Sequence, residues 1–402
     1  MITNHDSHHP SLFKPRKIYL TVLLFFLVTG CTPQASDPNA MTTASPPQTT
    51  VALPTNGAEP APPPTTALPT NEANPSALQM PASLLNEAIV HDNLSAQVVL
   101  NPVYAGMLGQ TGLGYVLAEN LNIPPDQRPQ NDELTLDTGS TFSMFLILSN
   151  NTDTPKTFLV TALLNYRQSS FALDEQAGVL HLVTAPANTE MNLPIVLEVT
   201  EAGRNDLQVV AFDDPFNPSL DINYRSDIQA GIISRRTTII AGQIDTPART
   251  LEFIDTNHAP PEIGPVNRDV MFFKRDAAQT DPLLVSNREM IYTDTLIPGT
   301  PYPFQIVLSQ VDDDVPETEP AERTVVVLYN YRQLAFDGRD VIAAWLDSQE
   351  EAFFNAELPP TNEPGVHQLQ AVYVDDPYAT NLDILSNPLV LSSFRMALVL
   401  QP

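Results

Sequence analysis

Through much of residues 135–400, apolar and polar residues alternate with a period of two. Phe142, Met144, Leu146 and Leu148 fall on one face of an extended segment, and Phe145 and Ile147 fall on the other. Phe158, Val160, Ala162, Leu164 and Tyr166 alternate in the same way, as do Val325, Val327, Tyr329 and Tyr331. Leu207, Val209 and Ala211 are matched later by Leu369, Ala371 and Tyr373. Runs of β-branched and aromatic residues, broken by Pro, Asn, Asp and Gly, predict short antiparallel strands. Leu85–Val90 is an exception that reads as a short helix. Val341–Phe354 has a helix-like mixture around Trp345, but its counterpart around His181 reads as strand, so strand plus turn is expected there.

The pattern occurs twice. Tyr166 lies in Leu164-Asn165-Tyr166-Arg167-Gln168, and Tyr331 lies in Tyr329-Asn330-Tyr331-Arg332-Gln333. Phe171 and Phe336 follow at matching distance, and Gly203 and Gly365 precede Leu207-Gln208 and Leu369-Gln370. Residues 213–222 and 375–384 share Asp-Asp-Pro-aromatic and end alike in Leu-Asp-Ile. Gly139 and Gly299 open strand-like runs, and Ser234-Arg235-Arg236 corresponds to Ser393-Phe394-Arg395. Order and spacing held over so long a stretch mean internal duplication. Asp245-Thr246-Pro247 marks a boundary, giving repeats at 83–246 and 247–402. Residues 90–135 and 250–295 are expected to add strands or excursions in front of each core.

Ahead of the repeats the composition changes. Between Thr32 and Pro81 there are 12 prolines and no aromatic residue, Lys or Arg. Such a segment cannot bury enough apolar surface to offset its ordering entropy, so 31–82 reads as a disordered, polyproline-biased spacer. Before it, Lys14, Arg16 and Lys17 precede the apolar run Ile18–Val28, which ends in Val28-Thr29-Gly30-Cys31. The run is shorter than the roughly 20 residues of a comfortable membrane span and reads, over residues 1–30, as a secretory signal.

Small residues directly before a cysteine, straight after such a run, resemble the lipobox of bacterial lipoproteins. That resemblance implies cleavage after Gly30, a diacylglyceryl group on Cys31 and acylation (a palmitate-type chain) of the new N-terminus. It further implies an extracytoplasmic protein tethered to the cell membrane or outer membrane. Several chains make a stable anchor, because each buried methylene contributes about 0.8 kcal/mol and one chain alone is marginal. Likewise, a strand with Ser-Asn-Asn-Thr, an aromatic-ended strand and a Gly-led strand are together similar to bacterial immunoglobulin-like modules of cell-surface proteins. The implied fold class is all-β: two tandem immunoglobulin-like antiparallel β-sandwiches after a disordered stalk.

Charge and candidate chemistry narrow the function classes. The chain has 47 Asp+Glu against 19 Lys+Arg and a formal charge of −28, which disfavours nucleic acid. Its one cysteine excludes an intramolecular disulfide and a Cys-cluster zinc site. The duplicated carboxylates Asp213, Asp214 and Asp221, with Asp375, Asp376 and Asp383, admit three readings: capped turns, a calcium site built from hard oxygens, or Asp–Arg pairs. No Asp-x-Asp-x-Asp-Gly loop supports calcium, and turns are the leading reading. Arg167, Arg332, Arg236 and Arg395 recur and could supply the pairs. Tyr166 and Tyr331 read as strand-end tyrosines whose hydroxyls bond to backbone, as at the corners of sandwiches. The acidic run Val311–Glu319 reads as a solvated hairpin tip. His91, His181, His258 and His367 are not at metal-ligand spacing. No nucleophile motif or phosphate loop is present, so no catalytic residue and no cofactor is expected. A non-enzymatic envelope module for spacing or for binding a protein fits best. Binding of a carbohydrate or solute, with Trp345 as a stacking surface, is the alternative.

Overall fold

The protein is described here from a computed structural model covering residues 78–401, except 93, 95–96, 101–110, 125–126, 128–132, 227–231, 243–245, 255, 259–269, 277–287, 310–320, 337, 347–349 and 379–389. The signal segment, Cys31, most of the spacer, the acidic run and Asp383 lie outside the described residues. Asn71–Pro402 forms one compact unit. Within it, helix α1 (Ala82–Glu87) leads into the first repeat, and helix α2 (Ile222–Ser226) lies near that repeat's end.

The first repeat begins with β1 (Ile89–His91), β2 (Gln97–Leu100), β3 (Thr111–Val116) and β4 (Glu133–Leu136). It continues with β5 (Thr141–Asn150), β6 (Lys156–Leu164), β7 (Arg167–Ser169), β8 (Phe171–Leu173) and β9 (Gln176–Gly178). It closes with β10 (His181–Ala185), β11 (Thr189–Glu198), β12 (Gly203–Asp213) and β13 (Ile232–Ala241). The second repeat begins with β14 (Phe253–Ile254), β15 (Asn257–His258), β16 (Val270–Lys274) and β17 (Thr293–Thr295). Next come β18 (Tyr302–Ser309), β19 (Ala321–Tyr329), β20 (Arg332–Gln333) and β21 (Ile342–Leu346). The last are β22 (Glu350–Leu358), β23 (Gly365–Asp375), β24 (Val390–Ser392) and β25 (Met396–Leu400).

The strands form four sheets. One sheet of repeat 1 runs β1-β10-β6-β12-β13-β4, and one of repeat 2 runs β14-β21-β19-β23-β25-β17. The equivalence is strand for strand. It includes parallel edge strands at both ends, β1 and β4 in one copy and β14 and β17 in the other. The other two sheets run β3-β5-β11-β8-β9 and β15-β22-β18-β16. The duplication therefore takes in the segments ahead of each core: β1 to β4 have counterparts in β14 to β17. Trp345 lies in β21, as strand and not helix.

Three large apolar clusters separate these sheets. Phe142, Met144, Leu193 and Ile195 meet Phe158, Val160, Val209 and Ile239 inside repeat 1. Phe304, Ile306 and Ala352 meet Val325, Val327, Ala371 and Leu398 inside repeat 2. The third cluster joins the repeats: Leu159, Leu163, Val210 and Phe212 pack with Val326, Leu328, Val372 and Val374. The order of layers is outer sheet, inner sheet, inner sheet, outer sheet. In the two inner sheets the central strands are buried on both faces, so β6 reads buried at six consecutive positions. Full burial of a Leu or Val side chain contributes about 1.5–3 kcal/mol, which makes this shared layer a large term in holding the repeats together.

Candidate functional site: the seam between the repeats

The duplicated motifs meet at this shared layer. Leu164 pairs with Arg167 and Tyr329 with Arg332 across two-residue hairpins. Asn165-Tyr166 and Asn330-Tyr331 occupy the turns with positive φ, at 51° and 64° and at 49° and 62°. Such turns match the right-handed twist of strands, and Asn tolerates the left-handed region well. Tyr does not, so its place there depends on its surroundings.

Those surroundings are the other repeat. The Tyr166 hydroxyl donates to the Pro377 carbonyl at 2.9 Å, and the Tyr331 hydroxyl donates to the Pro215 carbonyl at 2.6 Å. The Gln168 amide N–H donates to Gln333 Oε1 at 2.6 Å, and the Gln333 amide N–H donates to Gln168 Oε1 at 3.0 Å. Gln168 Nε2 reaches the Tyr331 carbonyl and Gln333 Nε2 the Tyr166 carbonyl, both at 2.8 Å. Each contact from i to j is answered by one from j to i, the signature of a two-fold interface. Asn165 and Asn330 brace the hairpins, each Oδ1 accepting the amide of Asp206 or Gln368 at 2.9 Å. The duplicated Asn-Tyr-Arg-Gln of one copy thus docks on the Asp-Asp-Pro of the other. The tyrosines do bond to backbone, but to the partner repeat and not to their own corner.

The lead-in segments cross over too. Residues 79–87 precede β1, yet the Val366 amide at the start of β23 donates to the Gln79 carbonyl at 2.8 Å, and the Ser83 amide donates to Glu363 Oε1 at 2.7 Å. Reciprocally, residues 246–251 precede β14 but pair with Arg204 at the start of β12, whose amide donates to the Thr246 carbonyl at 2.7 Å. Gly203 and Gly365 are required here. Both have positive φ, and a Cβ would sit 2.6 Å from the Thr246 carbonyl oxygen or 2.9 Å from that of Gln79.

Of the carboxylates singled out in the sequence, the described ones lie at the ends of β12 and β23 and in the segments that follow. Asp214 and Asp376 adopt φ of 48° and 51°, as turn residues do. Asp213 ends β12 and is ion-paired with Lys156, while Asp375 ends β23 and is held bidentately by buried Arg323 at 2.7 and 3.1 Å. Asp214 Oδ2 accepts from Asn217 at 2.7 Å, and Asp221 Oδ1 accepts the Asn223 amide at 2.8 Å ahead of α2. Burial, then the neighbouring Asp375, pushes the Asp376 carboxyl up, with Arg236 opposing. These are turns and ion pairs. Among the described residues, no group of three or more His, Cys, Asp and Glu side chains converges as a metal site would require.

The recurring arginines have different partners. Arg167 Nε donates to Asp340 across the seam at 2.7 Å, and Arg332 Nε donates to Glu87 of the lead-in helix at 2.6 Å. Arg236, almost fully buried, is ion-paired with Asp206 and donates to the Pro377 carbonyl at 2.9 Å. Burial opposes its charge, but Asp206 and Tyr166 outweigh that and hold its pKa above the ordinary value. Burial, then Asp206, holds the Tyr166 phenol well above its usual range despite Arg236.

Sequence reading missed two features. A buried pair lies at the β1–β10 edge, with His91 Nε2 2.9 Å from His181 Nδ1. His181 Nε2 faces the carbonyls of Phe171 and Gly178, both at 3.2 Å. This network assigns an Nε2–H tautomer to both rings. Burial lowers both pKa values, that of His181 to about 4. A groove of about 420 Å³ is lined by Arg275, Ala335, Phe336, Asn355, Ala356 and Glu357. Trp345 is separate from that lining and stands about half exposed on β21.

No protein-family model and no curated protein matches the chain. Among solved structures, it is similar at 11% identity to red sea bream transglutaminase, over 66% of this chain and 30% of that one, with a TM-score of 0.19. It is similar at 10% identity to the E. coli chaperone DraB, over 73% of this chain and 98% of that one, with a TM-score of 0.20. The secreted serine protease VesC from Vibrio cholerae gives 10% identity over 71% of this chain and 50% of that one, with a TM-score of 0.18. The chain thus spans about a third of the transglutaminase and half of VesC, and these likenesses carry no argument about function.

Proposed function

We propose that the chain is a lipid-anchored, extracytoplasmic protein that presents its paired sandwiches as one rigid module, for spacing or for binding another protein at the cell envelope. The observation that carries this reading is the position of Cys31. The only cysteine of the chain follows a basic n-region, a short apolar run and small residues, and precedes a Pro/Thr-rich spacer. A module held off a bilayer by such a spacer works as a unit only if its parts do not swing independently. The reciprocal contacts of Tyr166, Gln168, Tyr331 and Gln333 support that. Fractionation of cells making the full-length chain tests the anchor. The natural protein is expected in the membrane fraction, and the Cys31→Ser variant in the soluble one. Retention of Cys31→Ser at the membrane, or a mature N-terminus without lipid by mass spectrometry, sinks the proposal.

Carbohydrate or solute binding is the second reading, favoured by exposed Trp345, since an open indole face stacks on sugars. Glycan-array binding that disappears in Trp345→Ala would replace the first reading with this one.

A further inference from the structure

The two-fold relation fails in how a buried arginine is neutralised. In repeat 1, Arg236 on β13 is neutralised by Asp206 on β12. The paired registers put Arg395 in the place of Arg236 and Gln368 in the place of Asp206. Repeat 2 therefore keeps the buried guanidinium and lacks its carboxylate. A second arginine lies beside it. Arg225 of α2 is fully buried, and its carbonyl accepts the Arg395 amide at 3.0 Å. Both guanidiniums lie against one ring, 5.2 and 4.8 Å from the Tyr224 centroid.

Their partners are all neutral. Arg225 donates to the carbonyls of Ser219 and Asn217 and to Gln368 Oε1, at 2.6, 3.3 and 2.7 Å. Arg395 donates to the Asp213 carbonyl at 3.2 Å and the Tyr224 hydroxyl at 2.8 Å. Arg395 Nε and Gln368 Nε2, on residues 4% and 2% exposed, have no hydrogen-bond partner among the described residues. Two adjacent buried cations, with two unsatisfied donors beside them, are an arrangement that folded proteins avoid unless a counter-charge is present. The strong burial admits only a small, desolvated counter-charge.

We infer that Arg225, Arg395 and Gln368 hold a monatomic anion of halide size, which does at this end of the seam what Asp206 does at the other. An ion that binds only the folded state must raise the unfolding midpoint by mass action. The test is thermal unfolding of the full chain at constant ionic strength, with sodium gluconate replaced stepwise by sodium bromide or sodium phosphate. Bromide should raise the midpoint by a few degrees and saturate. Gln368→Asp, which restores the carboxylate of repeat 1, should unfold at a higher midpoint in gluconate and lose most of the bromide response. Equal bromide responses in the natural chain and Gln368→Asp would overturn the site, as would no response at all or stabilisation by phosphate alone. Should Gln368→Asp fail to fold, crystals of the natural protein grown in bromide decide: an anomalous peak beside Arg395 Nε is expected, and its absence contradicts the site.

Discussion

The two ends of the seam present the same backbone with different chemistry. At one end Arg236 is neutralised by Asp206, and at the other Gln368 stands in the place of Asp206 and accepts from Arg225, while Arg395 lies on the same Tyr224 ring as Arg225. The edges of the inner sheets diverge likewise. His181 pairs with Val160 as Ile342 pairs with Val325, and His91 corresponds in register to Ile254. Repeat 1 therefore carries a buried imidazole pair where repeat 2 carries two isoleucines. The lesson is that duplication has kept the reciprocal hairpin contacts across the seam. Asn165, Tyr166 and Gln168 match Asn330, Tyr331 and Gln333 because each must fit a copy of the same surface. The buried charge pairing beside those contacts and the edges of the inner sheets have diverged.

This comparison can be broken in several ways. The largest expected effect is at the neutralised end. Arg236→Gln strands the Asp206 carboxylate and should cost about 3–5 kcal/mol, whereas Arg395→Gln removes a cation from a crowded pair and should cost clearly less. Chemical denaturation of the two variants, compared by midpoint at equal m-value, checks the order, and equal losses would contradict it. Next come the equivalent seam leucines. Leu163→Ala and Leu328→Ala each create a cavity in a layer where both side chains are buried, with an expected loss of about 2–5 kcal/mol apiece. Two-fold equivalence requires the two losses to be similar, so a many-fold disparity between them would count against it. Smaller still, Tyr331→Phe leaves the buried Pro215 carbonyl without its donor, at about 1 kcal/mol, and Tyr166→Phe should cost less because Arg236 still donates to the Pro377 carbonyl.

The pH prediction sharpens the divergence. The native state holds His181 neutral down to about pH 4, while an unfolded histidine takes up its proton near 6.5. The pair's contribution is thus complete above pH 6.5 and declines as pH falls from 6.5 towards 4, because there the unfolded chain binds protons that the folded one does not. His181→Ile, which installs the residue of repeat 2, should flatten the midpoint-versus-pH curve across that window. An unchanged slope would remove this pair from the acid response.

Much of this was legible in the chain. Alternation at Phe142–Leu148 fixes which face of β5 is buried, and its burial pattern follows that alternation. The repeat of Asn-Tyr-Arg-Gln and Asp-Asp-Pro shows duplication, and the strand orders match accordingly. The seam itself was less legible, although its signal is present. Phe158–Leu164 and Val325–Leu328 are almost continuously apolar, and β6 is buried on both faces, one towards its own sandwich and one towards the other repeat. Period-two reading attends to Phe158, Val160 and Ala162 and passes over Leu159 and Leu163 between them. The cross-repeat partners of Tyr166 and Tyr331 could not be read at all, because a hydroxyl's acceptor 211 or 116 residues away leaves no local pattern. The same is true of Arg225, whose guanidinium meets Gln368 across 143 residues.

Calorimetry of the full chain tests the central claim most directly, namely that the duplicated motifs fuse two sandwiches into one cooperative body. A single transition is expected, with the calorimetric enthalpy equal to the van't Hoff enthalpy, and the paired change Leu163→Ala with Leu328→Ala should lower it or split it in two. Two independent transitions in the natural protein, each with its own midpoint and neither moved by those seam substitutions, would contradict the account.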